Sequence, residues 1–171
     1  MTSNEQENRI RKATQADIPR LAEILIFAKR MAYRPIFCND HVSFNEMQVV
    51  GLAAQLQKDE ALEGVVVYDD GIVKGMMRRS DSLCDAYPKG VELCEFFVDP
   101  FFQHGGIGGE MMRWLRKESE GSDVQSIFLL VLEKNADAIR FYERFGFSFD
   151  GTRVPVPGTE EYLKRYHMKL G

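Results

Sequence analysis

The chain alternates between stretches where apolar residues recur every three or four positions and stretches where they run together. Ile18, Leu21, Ala22, Leu25 and Ile26 fall at helical spacing behind Thr14 and Asp17, which stand three residues apart as in a capping box. They predict an amphipathic helix ending before Pro35, because the residue preceding a proline is steered away from helical geometry. Ile10 and its neighbours suggest a short opening strand. Ser43 with Glu46 reads as a second box, opening a helix that carries Met47, Val50, Ala54 and Leu56. Tyr33, Arg34, Pro35, Ile36 and Phe37 then form an aromatic-rich connection between the two helices.

The middle of the chain reads as β. Val65, Val66 and Val67 are a β-branched run, Asp70 and Gly71 a tight turn, and Ile72 to Arg78 a return strand. Val91 to Val98 is a further strand, stopped by Asp99 and Pro100. A glycine-rich segment from Gly105 to Gly109 runs into a helix with Met111, Met112, Trp114 and Leu115. Ser126 to Leu132 has the continuous apolar character of a buried strand. Asn135 caps a helix from Ala136 to Phe145, which Gly146 ends. Two last strands, Phe147 to Phe149 and Tyr162 to Leu170, flank a loop with Pro155, Pro157 and Gly158. This order of elements predicts an α/β fold with a mixed, mostly antiparallel sheet flanked by helices on both faces.

At 171 residues, with no repeat and no Pro/Gly/Ser-rich linker, residues 1–171 read as a single domain. The hydrophobic fraction of 44% and charged fraction of 28% are those of a globular protein. No run reaches the roughly 18 apolar residues of a membrane span. Met1 to Asn8 is polar and unlike a secretory signal, so the expected address is cytoplasmic, with no membrane partner. A net charge of −4 offers no basic face for nucleic acid. Cys38, Cys84 and Cys94 form no CxxC pair and lack histidines at ligand spacing, so reduced thiols and no metal are expected. Cys94, inside an apolar run, reads as a small core residue.

The segment with the most chemical information is Val98-Asp99-Pro100-Phe101-Phe102-Gln103-His104-Gly105-Gly106-Ile107-Gly108-Gly109. A strand ends, the chain turns, and glycines open a helix. The first N–H groups of a helix lack internal partners, and with the positive end of its dipole they form an anion site suited to phosphate. A nucleotide P-loop would need Lys and then Ser or Thr where Gly109 and Glu110 stand. A dinucleotide fingerprint would need glycine where Met111 stands.

Gln103-x-x-Gly106-x-Gly108 resembles instead the Gln/Arg-x-x-Gly-x-Gly/Ala signature of the GNAT N-acetyltransferases, with Phe96-x-Val98-x-Pro100 before it resembling the end of that family's fourth strand. Downstream, Asn135-x-x-Ala138-Ile139-x-x-Tyr142-Glu143-x-x-Gly146-Phe147 resembles the family's other shared motif. The resemblance covers about Val65 to Phe149 and implies the GNAT acyl-CoA N-acyltransferase fold, acetyl-CoA as acyl donor, and direct transfer to an amine. It implies that Gln103, His104, Gly105, Gly106, Ile107, Gly108 and Gly109 surround the pyrophosphate of CoA. Phe96, Phe97 and Val98 would pair with the pantetheine arm, which Asn135 and Ala138 would also face. Tyr142 would sit beside the sulfur.

Amide formation from a thioester needs a neutral amine, support for an oxyanion and a proton for the departing thiolate. Tyr142 is the candidate acid, against a reading as one more aromatic of Phe141-Tyr142-Glu143-Arg144-Phe145. For the base, Glu92 and Glu95 differ by three positions, so strand alternation sets them on opposite faces. By its register Glu92 resembles the glutamate that some members of the family use, and the resemblance favours it, with Glu95 or water as alternatives. A main-chain N–H near Phe96 or Phe97 would face the oxyanion. Tyr33, Arg34 and Phe37 could line the acceptor pocket. The expected acceptor is a small-molecule primary amine. A protein N-terminus or lysine, or a non-catalytic acyl-CoA sensor, are the alternatives. The late strands could also pair across a homodimer axis.

Overall fold

The computed structural model describes residues 9–40 and 49–171. Its elements, in order, are β1 (Ile10–Lys12), a 3₁₀ turn (Gln15–Asp17), α1 (Ile18–Phe37), α2 (Val49–Leu56), β2 (Val65–Asp69), β3 (Val73–Asp81) and β4 (Gly90–Val98). A second 3₁₀ turn (Pro100–Phe102) leads to α3 (Ile107–Glu120), β5 (Ser126–Leu132), α4 (Ala136–Arg144), β6 (Ser148–Pro155) and β7 (Tyr162–Lys169). The fold is mixed α/β, and its seven strands hydrogen-bond in the order β1-β2-β3-β4-β5-β7-β6. The β1–β2, β2–β3, β5–β7 and β6–β7 pairs are antiparallel, and β4–β5 is parallel.

The chain forms two compact units. The first holds the residues up to Arg78 together with Glu95–Trp114. Its core is Leu21, Ile24 and Leu25 of α1 against Val65, Val67, Val73 and Met76 of β2 and β3, with Leu52, Leu56, Leu62 and Phe97 packed on it. The Asp17 carboxylate accepts from the Thr14 N–H at 2.7 Å, so the predicted cap is formed in front of α1. Arg11 closes this corner, reaching Asp17 at 2.8 Å and Asp69 at 2.9 Å.

α1 does not stop at Pro35; it continues to Phe37 and ends at Cys38, whose left-handed φ of 50° breaks the helix. A proline leaves the carbonyl four residues back without its donor and crowds it, and here that residue is Met31, 67% exposed and near the helix end. Tyr33 to Phe37 are therefore the last turns of a helix and not a connection. The Ser43–Glu46 box and Met47 lie outside the described residues. In α2 the inward residues are Leu52 and Leu56, whereas Val50 and Ala54 are exposed.

The second unit comprises Arg79–Cys94 and Leu115–Gly171. β5 is its spine: Ile127, Phe128, Leu129, Val131 and Leu132 are buried, and all seven residues of the strand pair with β7. Its pairing with β4 spans only Gly90–Glu92 against Ser126–Phe128. Strand alternation turns Val91 and Leu93 inward and leaves Cys94 exposed, so Cys94 is not a core residue. β6 is longer than predicted. It passes through Asp150-Gly151 as an irregularity in its register with β7 and reaches Pro155, so that segment is strand and not loop.

Candidate functional site

Asp99 organises the passage out of β4. It is buried, its carboxylate accepts from the Phe101 N–H at 2.9 Å, and its other oxygen meets Arg20, whose Nε donates to the Val73 carbonyl at 2.9 Å. Its own N–H donates to the Lys74 carbonyl at 2.8 Å. The strand end is thus tied to α1 and β3 before the loop begins. Gln103 returns its side-chain amide to the Val98 carbonyl at 3.0 Å, bracing the loop from inside.

After Gln103 the backbone adopts two left-handed residues, His104 at φ 65° and Gly106 at φ 88°. Glycine takes this conformation freely, whereas histidine is strained in it. The first helical bond of α3 runs from Glu110 N to Gly106 O at 3.0 Å. The N–H groups of Ile107, Gly108 and Gly109 precede that bond at the positive end of a 14-residue helix. His104, Gly105 and Gly106 are exposed, and no side chain from Gly106 obstructs the approach. The helix is seated by Gly75 of β3. A Cβ there would stand 2.8 Å from the Met111 sulfur and 3.3 Å from the Phe97 carbonyl, so a larger residue would have to push the Met111 side chain aside and crowd the strand.

The first unit thus brings together Phe96, Phe97, Val98 and the whole Gln103–Gly109 loop. It also contains a charged cluster on the same strand. Glu95 lies 3.7 Å from Lys29 and 3.6 Å from Arg78. The Tyr33 phenol is pushed above its ordinary value, first by burial and then by the charge of Glu95. Tyr33 and Phe37, one helical turn apart, meet edge to face at 6.2 Å. Arg34 pairs with Asp40 at 2.9 Å, and both are exposed. The Lys29–Glu95–Arg78 grouping was missed by sequence reasoning, because three separate elements supply it and only Glu95 stood near a motif.

The second unit holds Glu92, Asn135, Ala138 and Tyr142. Glu92 is half-buried and paired in register with Phe128. The Asn135 side chain accepts from the Ala138 N–H at 3.3 Å, forming the predicted cap of α4. Tyr142 is half-buried and edge-on to Phe147 at 5.7 Å, while its carbonyl accepts from the Phe145 and Phe147 N–H groups. Those bonds close the helix after Arg144, and left-handed Gly146 at φ 95° turns the chain toward β6. Among the described residues no group of His, Cys, Asp or Glu could hold a metal, and no helix is long and apolar enough to cross a membrane.

Comparison with known proteins gives the family. Residues 28–147 match the model of the acetyltransferase (GNAT) family, and the chain belongs to that family. The probable spermine N(1)-acetyltransferase of Bacillus subtilis subsp. natto is 40% identical over 62 residues, 36% of this chain and 41% of that protein. The spermine/spermidine N(1)-acetyltransferase of Bacillus subtilis matches to the same extent. The matched part is therefore about two-fifths of the length of these curated relatives. Among solved structures, PaiA N-acetyltransferase of Thermoplasma acidophilum, in complex with coenzyme A, superposes with TM-score 0.70 at 17% identity, covering 94% of this chain and 97% of that one. The ribosomal-protein-S18-alanine N-acetyltransferase of Escherichia coli gives TM-score 0.64 at 21% identity over 95% and 93%. At these identities the structures share the fold.

Proposed function

We propose that the chain is an acetyl-CoA-dependent N-acetyltransferase acting by direct transfer on the primary amine of a small molecule. The observation that carries this reading is the passage from Val98 to Gly109, a braced turn that leaves three helix-first N–H groups behind the exposed Gly105 and Gly106. The residues fit the pyrophosphate of the donor. Phe96, Phe97 and Val98 would hold the pantetheine arm, with Asn135 and Ala138 also facing it.

In this reading the amine nitrogen forms a bond to the acetyl carbon, the carbon–sulfur bond breaks, and its electron pair goes to sulfur. Glu92 receives the amine proton, with Glu95 as the alternative, and the Tyr142 phenol supplies the proton taken up by the thiolate. A main-chain N–H near Phe96 or Phe97 faces the oxyanion. Tyr33, Arg34 and Phe37 belong to the acceptor side. A small amine is supported by the two relatives named for spermine and spermidine, within the 62 matched residues.

Calorimetric titration with acetyl-CoA, with ATP and NAD as controls, tests the donor. Saturable binding of acetyl-CoA alone is expected, weakened at least ~100-fold in Gly108→Arg, whose side chain would fill the anion's space. No binding to the folded protein would remove the enzymatic reading. Tyr142→Phe should lower kcat by about 10- to 1,000-fold with donor affinity retained.

A further inference from the structure

Ion pairs in the first unit fall into two groups. Arg11–Asp17, Arg11–Asp69, Arg34–Asp40 and Lys74–Asp70 lie between 2.8 and 2.9 Å, and Arg20–Glu23 at 3.0 Å. The two contacts of Glu95 are longer, at 3.7 Å to Lys29 and 3.6 Å to Arg78. Charge-assisted hydrogen bonds close to about 2.7–2.9 Å, so Glu95 holds both cations near without consuming their donors. One carboxylate between two cations leaves a net charge of +1. Lys29 and Glu95 are also largely withdrawn from solvent, with side chains 22% and 21% exposed, where unbalanced charge is felt more strongly than on an open surface. The Arg78 side chain is 45% exposed and open to a ligand.

The position of the cluster connects it to the transfer site. Glu95 immediately precedes Phe96, and the Lys29 ammonium lies 5.6 Å from the centre of the Phe97 ring. Tyr33, four residues on from Lys29 in α1, is within the electrostatic reach of Glu95. Two cations beside one carboxylate offer complementary charge to both groups of a zwitterion. A guanidinium can grip a carboxylate through two parallel hydrogen bonds, and an ammonium beside it adds point charge. A purely cationic acceptor would meet a net like charge here.

Resting on the acetyltransferase reading, we propose that Arg78, Lys29 and Glu95 select an acceptor carrying a carboxylate close to its amine, of the α-amino acid class. Arg78 and Lys29 take the carboxylate, and Glu95 faces the ammonium until it loses its proton.

The test uses product-side probes, so it does not depend on finding the best acceptor. A panel of N-acetylated α-amino acids (small, aliphatic, aromatic and acidic) and their decarboxylated N-acetylamine counterparts is titrated into the full chain in the presence of CoA. At least one carboxylate probe should bind ~10-fold or more tightly than its decarboxylated partner. That preference should fall below about 3-fold in Arg78→Gln and in Lys29→Met, with melting curves confirming that both variants fold. Equal affinities across every pair, no binding of any carboxylate probe, tighter binding of N-acetylspermine, or a preference intact in both variants would overturn the assignment. Acetyl-CoA titration of the wild-type protein alongside separates the two levels: absent donor binding removes the enzymatic reading and this one with it. Donor binding without a carboxylate preference removes this one alone.

Discussion

The carboxylates of Asp150 and Glu95 each sit beside an arginine and a tyrosine, yet their surroundings differ in kind. In the second unit, Asp150 accepts from the Tyr87 hydroxyl at 2.6 Å, from the Thr152 N–H at 2.9 Å and from Arg165. Arg165 in turn donates to Thr152 and to the Cys84 sulfur, both at 3.1 Å. Tyr87 is stacked on Phe128 at 5.0 Å. Burial alone would raise the Asp150 pKa, but the bonds from Tyr87 and Arg165 outweigh it and hold the group at about 2. Burial and the neighbouring Asp150 push the Tyr87 phenol up to about 12. A network closed in this way has little left to offer a ligand and fixes the loop before β4 to β6. In the first unit, Glu95 leaves its cations part-used, His104 sits in a strained conformation, and the first N–H groups of α3 point outward. Polar groups left open and backbone held under strain are what a binding site requires.

That contrast can be broken by substitution. Asp150→Ala removes the hub of the closed network and leaves Arg165 and Tyr87 without it. A loss of about 2–4 kcal/mol is expected, seen as a Tm lower by about 5–15 °C. A Tm within a degree or two of wild type would make the network dispensable. Acid probes the same carboxylate. Its folded pKa of about 2 lies below the ordinary value of about 3.9, so the unfolded chain takes up the proton first as pH falls. The contribution is complete above about pH 4 and fades toward pH 2, by at most about 2 kcal/mol. Asp150→Asn should flatten that part of the stability profile.

Smaller effects are expected in the first unit. His104→Gly relieves the left-handed strain, offset in part by the greater freedom of glycine in the unfolded chain. The net gain should be up to about 1 kcal/mol, read from denaturant midpoints. Arg78→Gln should leave stability within about 0.5 kcal/mol, as expected for a long ion pair whose arginine is nearly half exposed. A larger loss would make the Glu95 cluster structural, like that of Asp150.

The sequence by itself determined the order of elements, the caps at Thr14–Asp17 and Asn135, and the glycine loop. Each of these depends on residues within a few positions of one another, where backbone sterics and capping bonds decide the outcome. The two motifs were legible for the same reason: turning a strand into an anion-binding helix start needs particular residues at fixed spacing. Local rules failed where a distant neighbour or solvent intervened. Pro35 did not end α1, because the carbonyl it orphans belongs to exposed Met31 near the helix end. Asp150-Gly151 did not end β6, because β7 pairs on both sides of the irregularity. Only the tertiary structure decided that Gly75 would seat α3, that Lys29 and Arg78 would share Glu95, and that Tyr87, Asp150 and Arg165 would close on one another. Those contacts join residues up to 78 positions apart in the case of Tyr87 and Arg165, and their energies exist only once packing has brought the elements together.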